Sequence, residues 1–544
     1  MNPVIYSQAL IFVPILVSVM IYVLNKNWFS YSVFCAQTVV SFLLVRLWQY
    51  VLQEGIITFT LGGWTREIGI EFRIDNLSLI FMTMAVIIWW VVLIYAWQQK
   101  KRDFKFQFFL MFLEGCFIAF VQGNDFFTLF VLMEIITIIS AILILYKKDG
   151  ISLKAGLYYL LFNSIGMTIY LFGVALIYLK VGTLNMTIVQ SYLASHDFMT
   201  LEFSVIQISL ACFFVSMCVK AALLPVYEWL PRAHTAAPSH ISALLSGLLV
   251  KSGIFGLIRV LNVFNAEEIY PLVFYLGFFT AITGILFAVS QKDIKAILAF
   301  HTISQIGLII MSIASNSDIG NLGAYMHLFN HFLFKSLLFL GAGIIINEYG
   351  YRRVTEIHGI LKSHPLLSFS MFIGIFSITG APLFVGFHSK LMIKMAMPSP
   401  LYENLFRMVS LGTMVSFVKF SQIFFGEPLK YRKIGKGQQL GVLLLAILCV
   451  IFFMIELDII EPIMQINGEY SEVVEAKVSY GMKAMFDNYY MLEYLLYLSV
   501  AFFIFKVLIR PQAKLWYFLR HFRMKFQDAI VSLLLFLLLV IKFL

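Results

Sequence analysis

Apolar runs of about 20 residues recur along the whole chain, each long enough to cross a hydrocarbon core of about 30 Å. In that solvent every backbone N–H and C=O must be bonded within the chain, so such runs fold as helices. They fall near residues 5–24, 31–53, 75–97, 107–123, 126–146, 157–180, 204–223, 240–261, 270–290, 295–315, 321–347, 366–396 (broken), 404–425, 438–459, 490–509 and 528–544. The expected fold is therefore all-α, a polytopic membrane protein of about 16 spans. The first run has no basic region before it and no small-residue cleavage site, so it is read as a permanent span. Only 12% of the 544 residues are charged and the mean hydropathy is +0.90, which fits no soluble class.

The connecting loops alternate in charge. Those after odd spans are basic: Lys100 to Lys105, Lys147, Lys148 and Lys154, Lys292 and Lys295, Arg352, Arg353 and Lys362, Lys430 to Lys436, and Arg510 to Lys525. Those after even spans are poor in base or acidic: Asp125, Glu267 and Glu268, Asp318, and Glu456 to Glu475. Basic loops stay in the cytoplasm, so the N-terminus is expected outside a cytoplasmic (cell inner) membrane. The formal charge of +10 follows from these loops, and no nucleic acid is expected as a partner. The basic, aromatic stretch 511–527 could lie in the membrane interface, against lipid.

The five cysteines all sit in apolar runs and form no CxxC pair, which argues against a zinc or iron–sulfur site of usual spacing. Neither GxGxxG nor a Walker motif occurs. No cofactor, metal or redox centre is expected in this chain, and any such chemistry is assigned to a partner.

What remains is a set of ionisable residues at membrane depth, where a lysine costs roughly 2.5–3.5 kcal/mol. Lys220 and Lys251 flank a turn rich in proline (Pro225, Pro231, Pro238). Glu134 lies mid-span and is the natural partner of Lys220; at about 4 Å and an effective dielectric of about 20 they attract by roughly 4 kcal/mol. Moving Glu134 away would let Lys220 release its proton; the alternative is a static pair that fixes packing. His240 and Lys251 are eleven residues apart, about three turns of regular helix and so on one face. His327, His331 and Lys335 stand at i, i+4 and i+8 as one polar stripe, either proton-carrying or packing polarity. HxxxH is also a zinc spacing, but the glutamate of HExxH is missing. His301, with Ser304 and Gln305, adds a second polar face. Lys390 follows a second break around Gly380, Pro382 and Gly386, beside His388 and Ser389; it is a last station or an interfacial lysine. Glu114 is an entry point for a proton or cation, or pairs with a neighbour. Asp75 is expected to cap a helix.

The motifs RIDNLSLIF, WLPRAHTAAPSHISALLSGLLVKSGIFGLIR, KDIKAILAFHTISQIG, HLFNHFLFKSLLFLGAG and APLFVGFHSK, with the Glu134 segment, carry a resemblance over residues 70–425. The chain resembles the antiporter-like subunits of respiratory complex I, Mrp-type sodium/proton antiporters and membrane-bound hydrogenases. APSHISALLSG and AFHTISQIG look most like the formate hydrogenlyase and group 4 hydrogenase branch. The resemblance implies about 14 core helices with two inverted five-helix repeats and broken helices. On that pattern residues 1–106 are N-terminal helices, 107–261 and 270–425 the two repeats, and 426–544 a C-terminal extension. It further implies Glu134 and Lys220 as a coupling pair, Lys251 as a central lysine, His327, His331 and Lys335 as a relay, and Lys390 as the terminal lysine. On the reading of the residues themselves, Glu114, His240 and His301 are candidates to extend the path. The expected function is translocation of protons, or of protons against sodium, within a multi-subunit redox-driven complex; the alternative is a stand-alone Mrp-type antiporter. Expected partners are other membrane subunits and a peripheral redox arm.

Overall fold

The computed structural model describes residues 3–100, 103–195, 203–466, 472–484, 486–508 and 513–544. Lys101, Arg102 and Arg510 of the basic loops, and part of the acidic loop before residue 475, lie outside them. The fold is helical. Among the described residues, thirteen helices are long and apolar enough to cross a membrane, from Pro3–Leu24 to Phe526–Phe543. Two shorter apolar helices, Val205–Lys220 and Pro365–Thr379, stop at the two expected breaks. Pro400–Phe420 has span length but carries Glu403, Arg407 and Lys419.

Two compact units divide the chain. The first comprises Met1–Trp229, Leu248–Glu268 and Lys525–Leu544; the second comprises Leu230–Gly247 and Ile269–Met524.

In the first unit an antiparallel pair of short strands, Ile57–Thr60 and Glu71–Ile74, accompanies the helices of the expected all-α fold. Glu71 is fully buried there and accepts from Arg66 and from the side-chain amides of Asn124 and Asn185. Asp75 follows directly. It caps the next helix through the Ser78 N–H at 3.1 Å, as expected, and also holds Arg259 by two bonds, at 2.5 and 2.9 Å. That pair ties the start of one span to the end of another, a link a linear reading does not show.

Two readings are corrected. Lys295 is no loop lysine. It is buried in the first turn of Ile294–Ile313, where its amine donates to the Ala237 carbonyl at 2.9 Å. Between His240 and Lys251 the helix is not regular. Leu245–Leu249 form a π turn, and a turn at Val250 precedes Lys251–Phe264. A π turn holds more residues than an α turn, so the eleven-residue spacing is not three α turns and a common face does not follow.

Candidate ion-translocation site

The first break is made by the end of Phe203–Lys220. Ala222 takes a left-handed conformation (φ +54°), and Leu223 N–H reaches back to the Cys218 carbonyl at 3.0 Å. This closes the helix as glycine usually does. The Trp229 indole donates to the Val219 carbonyl at 2.8 Å, satisfying one of the groups a helix end leaves orphaned. Lys220 therefore sits in the last turn, 6% exposed. Gly253 explains how the next helix comes so close: a Cβ there would lie 2.3 Å from Ala221 N and 2.7 Å from the Lys220 carbonyl carbon. Only glycine fits.

The Lys220 amine donates to the Thr137 hydroxyl. Glu134 stands one turn before Thr137 on Phe126–Ile144, half-buried, and accepts from the Ser164 hydroxyl at 2.9 Å. No ion pair within 4.0 Å joins Glu134 to Lys220 among the described residues. The expected direct salt bridge is not formed: the amine is bonded to Thr137 instead, and Ser164 donates to Glu134. Its second carboxylate oxygen is buried without a hydrogen-bond partner, so the acid is held from one side only. The i, i+3 spacing of Glu134 and Thr137 was the signal that could have found this neighbour. Lys251 is fully buried at the start of its helix in the same unit. Glu114 is also fully buried, but apart from this group: it accepts from Gln37 at 2.9 Å.

In the second unit, Asp318–Tyr349 carries the polar stripe entirely inside protein. His327, His331 and Lys335 are each 0% exposed. His327 shares hydrogen bonds with Ser389 at 2.9 Å and Gln305 at 3.1 Å, and its ring lies 6.4 Å from that of His331. Lys335 donates to the Leu298 carbonyl at 2.7 Å. His301 is buried against the Phe417 ring, with neither nitrogen hydrogen-bonded. His240 is buried at the start of Ser239–Leu244.

The second break repeats the first. Gly380 is left-handed (φ +78°), and Ala381 N–H returns to the Phe376 carbonyl at 2.9 Å. Leu383 (φ +71°) and Gly386 (φ +109°) carry the chain into Phe387–Met395. Lys390 donates to the Ile378 carbonyl at 2.6 Å, in the last turn of the helix before the break, where a cation is favoured by the helix dipole.

Both breaks and the buried histidine–lysine stripe lie within residues 123–416, which match the family model NADH:quinone oxidoreductase/Mrp antiporter, transmembrane. The chain belongs to this family. Among its relatives, a Na(+)/H(+) antiporter subunit of Alkalihalophilus pseudofirmus is 31% identical over 480 residues, 85% of this chain and 96% of the relative. A putative antiporter subunit mnhD2 of Staphylococcus aureus is 30% identical over 448 residues, 80% and 89% of the two chains. A chain in the Mrp complex from Dietzia sp. DQ12-45-1b shares the fold at a TM-score of 0.79 and 22% identity, covering 88% of this chain and 99% of that one. A chain of the membrane-bound sulfane sulfur reductase, an archaeal respiratory membrane complex, does so at 0.78 and 25% identity, with the same coverage. This family member is thus a multi-pass, cation/proton antiporter-like membrane subunit.

Proposed function

We propose that this chain translocates protons, in exchange for sodium, as one subunit of a Mrp-type antiporter complex, its N-terminus outside the cytoplasmic membrane. In the first unit the charge is carried by Glu134, Lys220 and Lys251, with Glu114 as a further station; in the second by His327, His331, Lys335 and Lys390, with His240 and His301 as further stations. The observation that carries this reading is the placing of Lys220: a buried amine in the last turn of a broken helix, bonded to a threonine that is one turn from a carboxylate. An amine held by a neutral hydroxyl can gain or lose a nearby anion without breaking its own hydrogen bond. Rotation of Glu134 toward or away from it then sets whether the proton is held. The relatives' names, antiporter subunits over most of their length, favour the stand-alone complex. The second reading, a proton-pumping subunit of a redox-driven complex with a peripheral arm, is favoured by the likeness to the sulfane sulfur reductase chain.

Everted membrane vesicles carrying the whole gene set test the proposal, with sodium-dependent collapse of a pH gradient followed by a fluorescent amine. Lys220→Met and Glu134→Gln should each lower flux by about a hundredfold, the scale of a lost proton-transfer group, with normal amounts of assembled complex. Full flux in both variants would refute it. The subunits that copurify with the chain separate the two readings.

A further inference from the structure

Lys390 lines a cavity of about 100 Å³, room for several waters by the usual allowance of roughly 10–15 Å³ each. The cavity wall is built by Thr379 and Gly380 of the break, by Pro400–Phe420, and by Asn488–Phe503, a helix beyond the residues the family model matches. Exposure rises along it. Lys390 is 6% exposed, whereas the side chains of Lys394 and Glu493, also on the wall, are 21% and 20% exposed and 3.7 Å apart. Lys394 in turn lies 3.8 Å from Glu403, which pairs with Arg407. The other titratable side chains facing the cavity are Arg407, Tyr490, Tyr494 and Tyr497, and the Tyr494 hydroxyl is bonded to Thr379 at 2.9 Å. Glu493 is the one carboxylate among the lining residues.

We propose that Glu493 is the surface-side proton acceptor and donor for Lys390, acting through water in this cavity; the inference rests on the function proposed above. An N–H bond of the Lys390 ammonium breaks and its proton passes to a cavity water, which delivers a proton to a Glu493 oxygen. Lys390 is left a neutral amine, still donating to the Ile378 carbonyl, and Glu493 a carboxylic acid that releases its proton to bulk water. The reverse order loads Lys390. Lys394 holds the carboxylate at the mouth. The cation of the cluster therefore positions the group, and the carboxylate does the exchange.

The same everted vesicles, assayed in H₂O and D₂O, test it. Glu493→Gln should cut flux by at least about tenfold, within the range for loss of a proton-transfer group, and raise the solvent isotope effect because proton exchange becomes limiting. Glu493→Asp should restore flux. Native flux in the glutamine variant overturns the inference, as does an equal loss in both variants with an unchanged isotope effect, which would mark a structural role. Lys390→Met, run alongside, tells the two failures apart: native flux there would sink the role of the lysine itself, and with it the reading on which the inference depends.

Discussion

The two breaks are closed by the same hydrogen-bond pattern yet hold their lysines differently. At the first, the lysine precedes the break, ends its own helix and donates to a side chain, Thr137. At the second, the lysine follows the break by ten residues and donates to a backbone carbonyl, Ile378. A side-chain acceptor on the helix that carries Glu134 makes the first amine responsive to an acid. A carbonyl is fixed, and beside a cavity it makes the second amine responsive to water. On the function proposed above, similar backbone geometry would serve coupling at one place and exchange at the other.

The most damaging single change short of removing an amine is expected at Gly253. Its added methyl would meet backbone atoms of Ala221 and Lys220 at 2.3–2.7 Å, and backbone cannot swing aside. Gly253→Ala should cost about 3 kcal/mol, the upper range for overpacking, read as loss of assembled complex on blue-native gels. At the second break the corresponding crowding is with the Lys390 side chain, 2.8 Å from a Cβ on Gly380, which can give way. A complex that assembles normally with Gly253→Ala would mean the first break is as pliable as the second.

Thr137→Val probes the acceptor itself. It keeps the shape and removes the oxygen, leaving a buried donor unmet at about 2 kcal/mol. A fall in flux of roughly thirtyfold follows if that cost is borne by the transporting state. The second break has no counterpart, since no side-chain substitution removes a backbone carbonyl. If Thr137→Val transports normally, the hydroxyl is not needed to hold Lys220 for transport and the contrast between the breaks weakens.

Much of this was legible before any coordinates. Apolar periodicity gave the spans, because length and hydrophobicity alone decide what crosses a bilayer. The buried lysines and histidines announced themselves by their cost, and prolines marked the first break, glycines and a proline the second. What stayed hidden was tertiary. The spacing puts Thr137 one turn from Glu134 but does not tell that it accepts from Lys220, since a short polar side chain on a greasy helix usually bonds its own backbone. Lys295 reads as a loop charge because its acceptor, the Ala237 carbonyl, lies 58 residues away. The π turn at Leu245–Leu249 defeated a face argument that assumes regular helix. Glu493 sits in a segment with no motif, and only the cavity draws attention to it.

The smallest expected effects come from exchanging the residues that close the two helices. Ala222 holds φ +54° where Gly380 holds +78°. A left-handed conformation costs an alanine roughly 1–2 kcal/mol relative to glycine. Ala222→Gly should therefore stabilise the complex by about 1 kcal/mol, seen as a modest rise in its thermal midpoint. Gly380→Ala should lose about as much, and somewhat more through contact with Lys390. The signs are opposite although the turns are alike, because the permissive residue stands at only one of them. At the first break the helix closes against Gly253 and the Trp229 indole, and these contacts hold an alanine in a strained turn. At the second, the glycine leaves the space that the Lys390 stem occupies. Should both substitutions destabilise, the strain at Ala222 would belong to the way Lys220 is held, and relieving it would loosen the amine rather than rest it.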